Sequence, residues 1–168
     1  GFQGDSTLLP TWGECTPFNG IYLKELVGGI GDFVIGGVAS DNTVSIRLPD
    51  GTVNNIGSGT FANKYDQLGW YEVQNMEKLT GLRFFDNDIL FDDTSETADF
   101  FFSSTFDTSG LTETRQMFRE AMTFNGDVSM FDLTNVTNMA AMFRNAAAFS
   151  GDVTVFPTGN VTNMSNMF

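Results

Sequence analysis

The sequence predicts an α+β protein in which a β-rich front half leads into a short stack of repeated units. Three observations carry that reading. From Met117 onward the chain copies itself at a spacing of 25 residues. Inside each copy, apolar residues recur at intervals of three and four, the spacing of one helical face, and then give way to a short extended run. Between Asp32 and Phe85, alternating apolar residues are punctuated by Gly, Pro, Asn and Asp, the pattern of strands joined by turns.

Residues 1–30 read as an irregular lead-in, because Pro10, Pro17 and scattered Gly interrupt every periodic stretch. Its Trp12, Phe18 and Tyr22 need cover, from the next domain or from a partner. A β-rich domain is expected over 31–90. There Val44, Ile46 and Leu48 alternate, Pro49-Asp50-Gly51-Thr52 supplies a turn and Val53 resumes, which predicts a hairpin. Tyr71 and Val73, two apart, predict a strand with both side chains on one face. Leu79, Leu82, Phe84, Asn87 and Ile89 fit either a last strand or a first rung of the repeats.

Residues 91–168 are expected to hold the repeats: a degenerate copy to residue 116, full copies at 117–141 and 142–166, and the start of another at Met167. The full copies align without a gap, Met117 with Met142, Phe118 with Phe143, Phe124 with Phe149, Asp127 with Asp152 and Asn135 with Asn160. Such matching marks a solenoid, whose units bury their apolar faces against one another. Val136, Met139, Met142, Phe143 and Ala146 predict a helix capped at Thr134 or Asn135. Phe149, Val153, Val155 and Phe156 predict the extended run that follows.

The phrase FNGDVSMFDLTNVTNMAAMF, matched across both copies, resembles the BspA-type leucine-rich repeat. It departs from that family at Phe131 and Phe156, where a Trp is usual, and at Pro157, where an Asp is usual. In the front half, Tyr65-x-x-x-Gly69-x-Tyr71-x-Val73 and Leu48-Pro49-Asp50-Gly51-Thr52 are similar to segments of a PKD-like, immunoglobulin-type sandwich. The two resemblances imply a PKD-like domain followed by a leucine-rich-repeat-like solenoid. The BspA-type resemblance also implies a cell-surface or extracellular protein that binds other proteins, on a host or a neighbouring cell.

Charge narrows the partners. A formal net charge of −13 with only eight Lys and Arg disfavours nucleic acid and anionic membrane surfaces, both of which require basic groups. Sixteen of the 21 acids lie in residues 1–110, so the repeats are close to neutral. One cysteine, Cys15, excludes an internal disulfide. No run approaches the length of a membrane-spanning helix. The missing initiator Met and leader suggest a processed or partial chain, and Met167-Phe168 suggests that more chain or another subunit caps the C-terminal end.

The chain has no His, which disfavours nucleophile–base pairs and His-based metal sites. VGGIGDFVIGG lacks the Gly-Lys-Ser/Thr of a phosphate loop. No enzyme activity and no cofactor are expected. Asp86, Asp88, Asp92 and Asp93 could offer oxygens to calcium, but their spacing fails the EF-hand loop and a solvated acidic loop is the plainer reading. Asn135-Val-Thr137, Asn160-Val-Thr162 and Asn163-Met-Ser165 have the form of N-glycosylation acceptors and follow from the repeat itself. The repeat methionines read as core filling. The expected partner-binding residues are the polar positions Asn125, Asp127, Ser129, Asn135, Thr154 and Asn160. The expected function is therefore non-enzymatic adhesion or surface binding through the repeats. The alternatives are a virion component, such as a phage tail or capsid-decorating protein, and a calcium- or carbohydrate-dependent binding module.

Overall fold

Alternation of inward and outward side chains builds the front half into two layers. The computed structural model describes residues 18–27, 33–84 and 97–168. Its strands are β1 (Gly20–Val27), β2 (Phe33–Ala39), β3 (Ser45–Arg47), β4 (Val53–Asn55), β5 (Gly59–Tyr65), β6 (Gly69–Gln74), β7 (Leu79–Arg83) and β8 (Thr97–Phe102). They form a five-stranded sheet in the order β4-β3-β6-β1-β8 and a three-stranded sheet in the order β5-β2-β7. Neighbouring strands in both sheets run antiparallel.

Ile21, Leu23, Ile46, Tyr71, Val73 and Phe100 of the larger sheet meet Phe33, Ile35, Phe61, Tyr65 and Leu82 of the smaller in one buried core. The Phe33 ring lies 5.8 Å from Tyr71 and 5.0 Å from Phe100, which fixes the two layers face to face. The hairpin expected at Pro49–Thr52 joins β3 to β4. Leu48 and Thr52 close it, Asp50 Oδ1 accepts from the Thr52 N–H at 2.8 Å, and Gly51 supplies the positive φ of 88°. Tyr71 and Val73 do share the inner face of β6. The Tyr71 hydroxyl donates to the Gln67 carbonyl at 2.6 Å, and burial pushes the phenol well above its ordinary pKa.

Two strands fall where none was expected. β1 occupies the end of the supposed irregular lead-in, because Ile21 and Leu23 point inward on either side of Tyr22 and pair the chain between β6 and β8. β8 lies inside the stretch assigned to the repeats. There Phe100 and Phe102 face the core and Phe101 faces outward.

The α+β class is overturned. Among the described residues the only helical element is one 3₁₀ turn, Met76–Lys78, and the helices expected in the repeats are absent. Nor do the copies form a closed, leucine-rich-repeat-like solenoid, since each contributes a single isolated parallel bridge (Gly81 to Glu113, Glu113 to Asn138, Asn138 to Asn163) instead of a strand. The cause lies in where the backbone N–H groups go. In a helix each would donate four residues back. Here Thr114, Gln116, Phe118 and Glu120 donate to the carbonyls of Asn138, Ala140, Met142 and Arg144 in the next copy, at 2.7–2.9 Å. The intervening residues close short turns, such as Met117 N–H to Thr114 O at 3.1 Å and Ala121 N–H to Phe118 O at 3.1 Å. Left-handed residues at Gln116, Glu120, Ala141, Asn145 and Asn166, with φ between 52° and 61°, redirect the chain at each step. Val136, Met139, Met142 and Phe143 still point inward, so the apolar spacing is met without a helix.

That difference reverses the sign of one substitution. In a helix, Ala141→Gly would cost about 1 kcal/mol. At the observed φ of 55° it removes a left-handed alanine, so we expect a gain of about 0.5 kcal/mol. Urea midpoints of the two proteins measure it, and a clear loss would favour the helix.

Candidate functional site

Each repeat is one rung in a stack whose first layer is β7. Thr80 O accepts from the Thr112 and Glu113 N–H groups at 2.9 and 3.1 Å. Thr112 O then accepts from the Thr137 N–H at 2.9 Å, and Thr137 O from the Thr162 N–H at 2.8 Å. β7 is thus both alternatives that the sequence left open, a strand paired antiparallel with β2 and the layer on which the repeats are laid.

Inside the stack, aromatic rings follow the same step. Phe84, Phe118, Phe143 and Phe168 stack at successive centroid distances of 5.6, 5.2 and 5.8 Å, with planes 12–21° apart. A second column runs from Phe100 to Phe124 at 4.8 Å and on to Phe149 at 6.1 Å. The columns touch within each rung, Phe118 to Phe124 at 4.3 Å and Phe143 to Phe149 at 4.0 Å. Met117, Met139 and Met142 are fully buried and Met167 nearly so, in keeping with core filling, whereas Met122 and Met164 are exposed. Phe168, the outermost ring of its column, is 69% exposed.

Polar side chains hold the outside of the rungs. Asp127 Oδ1 accepts from the Ser129 N–H at 2.8 Å, Asp132 Oδ1 from the Thr134 N–H at 3.0 Å and Asp152 Oδ1 from the Thr154 N–H at 2.8 Å. Thr154 Oγ1 also donates to Asp152 Oδ1, at 2.6 Å. Asn125 Oδ1 accepts from the Ser150 N–H across the rung boundary at 2.8 Å. Asn135 Nδ2 donates to Ser109 O at 2.9 Å, and one rung later Asn160 Nδ2 donates to Thr134 O at 2.8 Å.

All six expected partner-binding residues are therefore on the surface, and each is also tied to neighbouring backbone or to a neighbouring turn residue. Asn125, Asp127, Ser129 and Thr154 belong to one corner on two successive rungs. Asn135 and Asn160 make a separate column, and a glycan on either would take one of the two N–H groups of the amide that bonds to the rung before. The sequence reading missed the column Thr112, Thr137 and Thr162, whose hydroxyls donate to the carbonyl one layer back at 3.1–3.3 Å. Its signal was available, since these threonines keep the 25-residue step. The calcium candidates Asp86, Asp88, Asp92 and Asp93 lie outside the described residues. Among the described residues no group of three or more metal-ligating side chains converges, and no helix is long and apolar enough to cross a membrane.

The corner carboxylates carry a pH signature. Hydrogen bonds from Ser129 hold Asp127, and those from Thr134 and Thr154 hold Asp132 and Asp152, below the ordinary carboxylate value of 3.8. A group with a lowered folded pKa stabilises the fold fully above its unfolded value and loses that contribution as pH falls through the folded one. We therefore expect melting temperature to be insensitive to these groups near neutrality and to drop below pH 3.8, less steeply in an Asp127→Asn/Asp132→Asn/Asp152→Asn variant. Thermal melts across that range measure it.

Compared with known protein families, residues 86–168 match one described as Mycoplasma protein of unknown function, DUF285. The match covers the repeat stretch and fits its likeness to BspA-type surface repeats. It includes neither a leucine-rich repeat model nor a PKD-type domain. No curated protein and no solved structure matches the chain.

Proposed function

We propose, from the family match over residues 86–168 and from the stack those residues build, that the chain is a surface-exposed, non-enzymatic module whose role is contact with other proteins. The carrying observation is the corner of Asn125, Asp127, Ser129 and Thr154, which is exposed yet held by hydrogen bonds within the stack. A face ordered beforehand loses little side-chain freedom on docking, so its contacts go into affinity. Its acids, Asp127 and Asp152, favour a partner with basic groups at that contact.

On the same reading, the repeats are BspA-type in kinship and the front sandwich is PKD-like. In favour of the latter is the Tyr71 hydroxyl, which ties back to Gln67 O four residues upstream as in the tyrosine corner of immunoglobulin-type sandwiches.

Intact cells of the source organism, treated with a protease that cannot enter them, test the surface location. The chain is expected to be cleaved without lysis. Cleavage only after lysis, or recovery of the chain with purified virus particles, would overturn the reading. An Asp127→Asn/Asp152→Asn variant, which removes the two charges and keeps the oxygens that accept from Ser129 and Thr154, is expected to lose binding to captured surface proteins with little change in its melting temperature at neutral pH.

A further inference from the structure

The tripeptide Phe-Asn-Gly occurs at 18–20 and again at 124–126, and the fold treats the two differently. At the first, the Gly20 N–H is buried and donates to Ser103 Oγ at 3.1 Å. Asn19 Oδ1 accepts from the Asp107 N–H at 2.7 Å, and Asn19 O accepts from the Val73 N–H at 2.8 Å. Both partners of the Asn–Gly bond are locked into the larger sheet. At the second, Asn125 is exposed. Its Oδ1 accepts two bonds from Ser150, one from the N–H at 2.8 Å and one from Oγ–H at 3.1 Å. Neither the Gly126 N–H nor Asn125 Nδ2 has an acceptor among the described residues.

We propose that Asn125-Gly126 is a self-modification site, at which the Gly126 backbone nitrogen attacks the Asn125 side-chain amide while Ser150 holds the amide oxygen. The new bond joins Gly126 N to Asn125 Cγ, and negative charge gathers on Oδ1. Two donors aimed at an oxygen that gains charge are the arrangement of an oxyanion hole. The nucleophile is the next atom group in the chain, so no second molecule has to be positioned. Glycine leaves that nitrogen without a side chain beside it. The proton of Gly126 N passes through water to the departing nitrogen, the Cγ–Nδ2 bond breaks and ammonia leaves a cyclic imide. Water then opens the imide at either carbonyl, giving aspartate or isoaspartate, and no oxidant or reductant is involved.

The product changes the stack. Aspartate adds a negative charge to the corner that already carries Asp127 and Asp152. Isoaspartate lengthens the main chain at the point where one rung is clipped to the next.

Peptide mass spectrometry of the folded chain, incubated at mildly alkaline pH, follows conversion at both asparagines in one sample. Asn125 is expected to convert at least about tenfold faster than Asn19, because the locked site reacts only after local opening. Ser150→Ala removes the hydroxyl donor and keeps the backbone clip, so conversion at Asn125 is expected to slow, and Ser150→Thr is expected to restore it. Equal rates at Asn19 and Asn125 in the unaltered protein would overturn the proposal. So would a Ser150→Ala rate equal to that of the unaltered protein.

Discussion

Phe118→Ala is expected to cost about 3–5 kcal/mol of folding stability, a large share of what holds any single domain together. The ring is fully buried and sits where the two halves meet. It stacks on Phe84 at 5.6 Å toward the smaller sheet, on Phe124 at 4.3 Å within its own rung and on Phe143 at 5.2 Å in the next. It also faces Phe102 of β8 edge-on at 6.0 Å. Removing it opens a cavity lined by rings from three layers, none of which can collapse without breaking another stack. Phe168→Ala, at the exposed top of the same column, is the control and should cost less than about 1 kcal/mol. Urea unfolding of the two variants measures the contrast. Equal, small losses would mean that the aromatic joint does not hold the repeats to the sheets.

Gly37→Ala is expected to be at least as damaging, through crowding instead of a void. A Cβ at residue 37 would stand 2.1 Å from the Gly81 carbonyl oxygen, a backbone atom that can move only if β7 moves. β7 is pinned on both sides, to β2 by the antiparallel pairing and to the first rung through Thr80 O. Relief of the clash therefore displaces the layer on which the repeats rest, and we expect a loss of about 3 kcal/mol or more. Gly159→Ala, where nothing lies within 4 Å, should be silent. Melting temperatures decide it, and a silent Gly37→Ala would mean that β2 and β7 do not approach each other as described.

The parts of this architecture that the sequence disclosed are those where side-chain spacing alone decides the outcome. The 25-residue step is physical: Phe149 lies over Phe124 at 6.1 Å with planes 6° apart. The hairpin at Pro49–Thr52 was legible because Asp50 and Gly51 have few other uses at that spacing. The helices were misjudged because inward positions at intervals of three and four are shared by a helix and by a run of short turns. What separates them is the destination of N–H groups such as those of Gln116 and Phe118, and that depends on a neighbouring rung. Asn145 and Asn166 hint at left-handed corners, whereas Gln116, Glu120 and Ala141 do not. β8 was hidden by its acidic surroundings, although its three phenylalanines alternate in and out. At the candidate site the exposed positions were readable from the repeat. Their ties to the backbone, such as that of Asn160 to Thr134 O, were not.

The bonds between rungs have a mechanical consequence. They lie along the axis of the stack, so tension applied at the rung farthest from β7 loads one interface at a time, like a zipper pulled from its open end. A rung that lets go pays out its 25 residues of chain, roughly 80–90 Å when extended, while the rungs beneath and the paired sheets stay closed. A stack built this way lengthens in steps under strain and spares the sheets beneath it.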